Sequence, residues 1–200
     1  RTACANASAD FTLGTAGAGY GATTLNLKGG LGSASVVTAG GIMIGALAAV
    51  NAVGSTTIGD TPHFWAAPFE VDAEFGGRGF PEKIPSDALV PDFTGRPGEN
   101  TTLAIIATDA SLDRPMLKRL AIMAQTGLAR AINPAHTPLD GDLVFAVSTG
   151  DKPAPEPLWQ LAGLGIHAAN VLARAIARAV YAADSFAAEP KGLPAYRDIF

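Results

Sequence analysis

The sequence predicts a layered α/β domain with sheet inside and helices outside. Three observations carry that reading. Hydrophobic residues make up 48% of the 200-residue chain and charged residues 16%, a composition that buries a core rather than staying solvated. The apolar runs fall in the order strand, strand, strand, helix, strand, helix. Gly- and Pro-rich clusters separate them.

Taken in order, residues 3–9 read as the tail of a small-residue helix and 11–13 as a short strand. Residues 14–32 are glycine-rich. Residues 33–37 and 41–50 are strand candidates joined by the turn Ala39-Gly40-Gly41. Residues 36–54 carry no charge and approach the length of a membrane span, but Gly40, Gly41, Gly45, Asn51 and Gly54 interrupt them. They read as paired strands buried on both faces. Residues 54–98 form a long irregular segment holding His63, Phe64, Trp65, Phe80 and Pro81. A loop that long is functional or a linker.

Residues 101–108 are the next strand. The following helix is capped by Ser111 or Asp113, with Pro115 in its first turn. Leu117, Leu120, Ala121, Ala124, Leu128, Ala131 and Ile132 share one face of it, and Asn133-Pro134 ends it. Residues 143–147 read as a buried strand. Residues 157–183 form an Ala-rich helix, apolar on most sides and so buried. There is no internal repeat and no heptad pattern. The expected organisation is one domain over 1–200.

Composition also excludes classes. A formal net charge of −4 offers no basic stripe for nucleic acid. The single cysteine, Cys4, excludes an internal disulfide framework. Arg1-Thr2-Ala3-Cys4 lacks the order of a secretory signal, so the expected compartment is the cytoplasm, with the periplasm left open. The run Gly17-Ala18-Gly19-Tyr20-Gly21-Ala22 fits a loose dinucleotide pattern. That pattern needs an acidic residue some way downstream, and residues 11–59 contain none. His63 and His136 lack a second ligand at metal spacing, and no G-x-S-x-G elbow is present. Neither cofactor nor metal is expected.

Five positions carry candidate chemistry. Lys28 is the only charged residue between Asp10 and Asp60. It is either exposed on a loop tip or desolvated, and desolvated lysines cluster at active sites. Asn51 interrupts an apolar run, so its amide either ties down a turn or presents its NH2 to a ligand, as in an oxyanion hole. Asp140-Gly141-Asp142 is a plain turn, or it binds a cation, or it orients a catalytic amine; calcium would need more oxygen ligands. Asn100-Thr101-Thr102 stands at the mouth of a strand. If the Asn100–Thr101 bond is cut, Thr101 gains an α-amino group with a pKa of about 8, near the ideal for a general base at neutral pH. One residue then supplies nucleophile and base.

Together these stretches resemble the self-processing L-aminopeptidase/D-esterase family, which includes the β-aminopeptidases and the endo-type 6-aminohexanoate-oligomer (nylon oligomer) hydrolases. The matching pieces are Gly17 to Ala22, Lys28-Gly29-Gly30, Gly32-Ser33-Ala34-Ser35, Ala49 to Gly54, Asn100-Thr101-Thr102 through Ala110, and His136-Thr137 through Asp140-Gly141-Asp142 to Ala146. The resemblance implies a four-layered α/β/β/α sandwich of the N-terminal-nucleophile-hydrolase kind and a homo-oligomer, often a tetramer. It implies cleavage between Asn100 and Thr101, giving an α chain of residues 1–100 and a β chain of residues 101–200. It makes Thr101 the nucleophile and Asn51 the group that polarises the scissile carbonyl. Lys28, Asp140 and Asp142 become site residues that set the charge and position of the Thr101 amine.

The implied activity is hydrolysis of amide bonds in short peptides, β-peptides or ω-amino acid oligomers. A non-catalytic binding or assembly module on the same scaffold is the alternative. The family chain extends well upstream, so this one reads as the C-terminal portion, incomplete at its N-terminus. Tyr20 stands where many members carry a small threonine; a ring there narrows the cleft or stacks on a substrate. Thr rather than Ser at the nucleophile resembles the oligomer-hydrolase branch.

Overall fold

The computed structural model describes residues 5, 7–92, 100–153, 158–186 and 192–200. The helix tail expected at 3–9 falls partly outside them, and residues 7–9 have no regular structure. Cys4 and Pro157 also lie outside the described residues.

Four strands form a sheet of order β1-β2-β3-β4: β1 Gly30–Val37, β2 Met43–Val50, β3 Leu103–Ala110 and β4 Leu143–Lys152. β1 and β2 are the expected hairpin, closed where Gly41 N–H donates to Thr38 O and Thr38 N–H to Ile42 O, both at 2.8 Å. The uncharged stretch is thus a strand pair, but one buried on a single face rather than on both, since buried and less buried residues alternate along it. No helix among the described residues is long and apolar enough to cross a membrane. β2 pairs antiparallel with β3, and β3 pairs parallel with β4. A parallel neighbour requires a crossover. Here the helices α2 Arg114–Ala124 and α3 Thr126–Ala131 provide it. The long helix α4, Leu158–Tyr181, packs beside them. α1 Ser86–Leu89 and α5 Tyr196–Ile199 are single turns.

α2 starts as expected: Asp113 is the N-cap and its carboxylate accepts from Met116 N–H at 2.8 Å, with Pro115 in the first turn. The single helix expected up to Ile132 is instead broken at Gln125. The Thr126 hydroxyl donates to the Met123 carbonyl at 2.8 Å, and Leu128 N–H turns back to Gln125 O at 3.1 Å. The break lets α3 press its backbone on α4. A Cβ at Gly127 would lie 2.4 Å from Ala169 O, so only glycine fits there.

One sheet face is covered. Ile44, Ala46, Ala48 and Val50 of β2 and Ala104, Ile106 and Ala110 of β3 are buried with Leu120, Leu128, Leu172 and Ile176. Alternation puts Met43, Leu103, Leu143, Phe145 and Val147 on the other face, where they are exposed. The strand expected to be buried at 143–147 is therefore half-exposed. It is the edge of the sheet, and among the described residues only one of its faces meets helices. The mixed α/β class is as expected; of the four layers expected, the described residues build two, one of helices and one of sheet. Residues 11–13 make no strand either. Pairing there is confined to Gly14, which exchanges hydrogen bonds with Leu31 at 2.7 and 2.8 Å.

As far as residue 92 the irregular stretch after β2 is anchored rather than a loose linker; residues 93–98 lie outside the described residues. Phe64 and Phe75 are buried and meet edge-on, with ring centroids 5.4 Å apart. Phe64 also stacks on buried Tyr196, whose hydroxyl donates to Pro62 O at 2.7 Å. Truncating Phe64 to Ala should cost about 3 kcal/mol of unfolding free energy. Truncating Phe80, half-exposed on the same stretch, should change it by less than about 0.5 kcal/mol. Equal urea midpoints for the two variants would show that this aromatic cluster does not hold the segment.

Candidate active site

Three segments meet beyond the leading end of β3: residues 51–53 leaving β2, 100–102 approaching β3, and 136–142 approaching β4. Asn100 pairs with Asp140 as an isolated parallel bridge, ahead of the regular ladder. Gly141 N–H donates to Asn100 O at 3.0 Å, and Leu143 N–H donates to Thr102 O at 3.1 Å. Thr101 N–H donates to Asn51 O at 2.7 Å. Thr101 is thus fixed by backbone bonds on both flanks before the strand proper begins.

The two carboxylates bind backbone across the same junction. Asp142 accepts from Thr102 N–H at 2.9 Å through Oδ1. Asp140 accepts from Val53 N–H at 3.1 Å through Oδ1; its Oδ2 accepts from Thr137 N–H at 3.1 Å and Thr137 Oγ1 at 2.7 Å. Asp140 ties the segments together rather than facing Thr101. The reading of 140–142 as a plain turn misses these long-range bonds. Among the described residues no group of three His, Cys, Asp or Glu side chains is placed to hold a metal ion.

Thr101 Oγ1 donates to Asn100 O at 2.6 Å. A Cβ at Gly141 would stand 2.7 Å from that hydroxyl oxygen, so any other residue between the two aspartates would crowd it. Thr101 and Asn51 line one cleft of about 310 Å³, with Ala49, Leu103 and the glycine-rich residues Ala18, Gly21 and Ala22. Asn51 Oδ1 accepts from Thr23 N–H at 3.0 Å. That bond commits the oxygen end of the amide and fixes the side chain at the cleft wall.

Lys28 is not on a loop tip: it is 4% exposed. Its ammonium lies 4.0 Å from the centroid of Phe186, which stacks in turn on Tyr20 at 4.6 Å. Tyr20 itself is exposed. These two residues sit together, beside the cleft rather than in its lining. Lys28 connects to the site through backbone, because its bridge to Thr23 fixes the residue that holds Asn51. Phe186, Thr23, Val53 and the backbone of Gly141 join this assembly without having been among the sequence candidates. The glycine between two aspartates is an available signal for Gly141; nothing in the sequence marks the others.

The profile of peptidase family S58 matches residues 1–191. The chain belongs to that family. Among curated proteins this S58 chain is 42% identical over 212 residues to an uncharacterised aminopeptidase of Mycobacterium tuberculosis, a match covering 100% of the chain and 60% of the relative. It is 31% identical over 146 residues to the β-peptidyl aminopeptidase BapA of Sphingosinicella microcystinivorans, covering 72% of the chain and 36% of the relative. Among solved structures it resembles the L-aminopeptidase D-Ala-esterase/amidase of Ochrobactrum anthropi, described as a variant of the Ntn hydrolase fold. There the TM-score is 0.61 at 24% identity, covering 92% of this chain and 48% of that one. The S58 chain thus spans about three fifths of the relative it matches over its full length, and its fold is that of the Ntn hydrolase aminopeptidases.

The carboxylate of Asp142 titrates above its ordinary range. Burial is the largest cause, opposed by the Thr102 N–H; the charge of Asp140 adds to the rise, and His136 opposes it. A carboxylate whose pKa is raised in the fold contributes stability that is fully present below its unfolded value, about 4, and is lost as pH rises through the folded value. Asp142→Asn has no such titration. Its stability relative to the native protein should therefore increase between about pH 4 and neutrality. Urea titrations at both pH values measure this; a difference independent of pH would contradict the assignment.

Proposed function

We propose that the protein is a self-cleaving amide hydrolase that uses Thr101, freed at the Asn100–Thr101 bond, as an N-terminal nucleophile. The observation that carries this reading is the Thr101 hydroxyl at the Asn100 carbonyl, with Gly141 N–H on the same oxygen, beside a cleft that contains Asn51. In the cleavage step Thr101 Oγ attacks the Asn100 carbonyl carbon. The hydroxyl proton passes to the departing Thr101 nitrogen, and the acyl group moves from nitrogen to oxygen. Gly141 N–H stabilises the negative oxygen of the intermediate. Water then hydrolyses the ester, leaving Asn100 as a carboxylate and Thr101 as an amine.

The freed amine takes the proton of its own hydroxyl, directly or through one water, when Thr101 Oγ attacks a substrate carbonyl. The Asn51 NH2 and backbone N–H groups stabilise the oxyanion. The amine product departs with that proton, and water releases the acid from the acyl-enzyme. Asp140 and Asp142 hold the segments that carry Asn51 and Thr101. Lys28 supplies positive charge beneath the aromatic pair, and Tyr20 is placed to contact substrate at the cleft's edge. The substrates are short peptides, as the relatives' names suggest, including β-peptides, or ω-amino acid oligomers. The assembly is a homo-oligomer, with a tetramer expected from light scattering.

Intact-mass measurement on the full chain should give two chains, one beginning at Thr101. Thr101→Ala should remain a single chain and lose activity on a panel of α-amino acid amides, β-alanyl amides and 6-aminohexanoate oligomers. An alanine variant that still hydrolyses them would remove Thr101 from the reaction. An uncut native chain without amidase activity would favour a binding module.

Asn51→Ala should lower kcat by about 10² to 10³ with KM little changed. A loss confined to KM would assign Asn51 to ground-state binding instead.

A further inference from the structure

His136 is the residue of this junction that the mechanism leaves unused. It sits in the left-handed region at φ 58°, a conformation uncommon for residues other than glycine. Its Nδ1 lies 3.3 Å from Asp142 Oδ2, the oxygen opposite the one that binds Thr102 N–H. The Asp142 side chain is 4% exposed and the His136 side chain 40%. On its outer side the imidazole borders a surface groove of about 470 Å³ formed with Ile122, Gln125, Thr126 and Ala129 of the crossover helices. The imidazole therefore spans from solvent to a buried carboxylate.

Among the described residues, the charged groups that face Asp142 are Asp140 and His136, both from the segment leading into β4. The approach to β3 presents the backbone N–H of Thr102, and the backbone of His136 adds a further donor. Burial and the Asp140 charge both favour protonation of Asp142. A protonated carboxyl is a poorer acceptor, so the Thr102 N–H bond weakens and the peptide unit next to Thr101 is released. Opposing this requires a donor, and better a cation, on the far oxygen.

We propose that His136 is a positioning residue for the Thr101 site: its imidazole holds Asp142 as the acceptor that anchors Thr102 and so aims Thr101 into the cleft. The inference rests on Thr101 being the nucleophile. It is distinct from the residue roles already given, because His136 touches neither substrate nor the reacting atoms.

The test compares kcat/KM–pH profiles of the cleaved full chain with those of His136→Asn and His136→Gln. Asparagine tolerates the positive φ while removing charge and reach; glutamine keeps a neutral donor. For His136→Asn, kcat at neutral pH should fall roughly tenfold with KM unchanged, the size of one weakened charge-assisted hydrogen bond. Its acid limb should move to higher pH by roughly half a unit to one unit, as expected for loss of a partly exposed ion pair. His136→Gln should recover most of kcat but keep the shifted limb. Profiles that overlay the native one overturn the proposal. So does a uniform loss at every pH that tracks a lower melting temperature, since that is a packing effect. Thr101→Ala run alongside separates the two readings. If it is inactive while the His136 variants match the native profile, only the His136 inference fails. If it stays active, the nucleophile assignment fails and the His136 role falls with it.

Discussion

Asp140 and Asp142 each commit a carboxylate oxygen to the backbone N–H of a different neighbouring segment, Val53 on one side and Thr102 on the other. The glycine between them donates its own N–H to Asn100 O. Three consecutive residues thus clamp the exit of β2 and the approach to β3, and the clamp works only with a small residue in its middle. Bonds to carboxylates are stronger than neutral ones. They also stand at the strand ends, where sheet pairing has run out and the backbone groups need other partners. The same interactions that close the end of the sheet therefore fix the hydroxyl of Thr101.

The topology explains why these segments come together. β2 lies between β1 and β3, so its end delivers Asn51 beside the start of β3. β4 runs parallel to β3, so its approaching segment arrives at the same end, as parallel pairing demands. Crossover helices then lie on the covered face, and the cleft opens on the side of Ala49, Thr101 and Leu103. Catalytic candidates from residues 51, 101 and 140–142 converge because one strand pair is antiparallel and the next is parallel.

Much of this is legible in the sequence, and the failures share a cause. The hairpin, the Asp113 cap and the buried Ala-rich helix follow from local patterning, which alternation, capping and helical period report directly. The grouping of Thr101 with Asn51, Asp140 and Asp142 comes from resemblance to a family, not from spacing, since residues so far apart meet only through the fold. The strand at 143–147 departs from its expected burial because an apolar run reads alike whether both faces are covered or one. The helix break at Gln125 is invisible in the pattern because Leu128, Ala131 and Ile132 continue the apolar face across it; the reason for the break is the approach of α4, a tertiary contact. Lys28 stays open between exposure and burial in the sequence because its cover, Phe186, comes from the far end of the chain.

The doubled threonine sharpens the question of register. In an extended chain, side chains alternate, so a slip of one residue would exchange Thr101 and Thr102 and still leave a hydroxyl facing the cleft. The two positions are nonetheless unequal. Thr101 shares the cleft side with Leu103, whereas Thr102 is buried like Ala104, and its Oγ1 finds no hydrogen-bond partner among the described residues. A buried unpaired hydroxyl costs about 1–3 kcal/mol, so packing alone would favour an apolar residue at 102. What holds this register is the backbone: Thr102 N–H on Asp142, Thr102 O on Leu143 N–H, and Asn100 O on Gly141 N–H. Each of these bonds would be lost in a one-residue slip, and the aspartate spacing matches only the alignment that puts Thr101 beside Asn51.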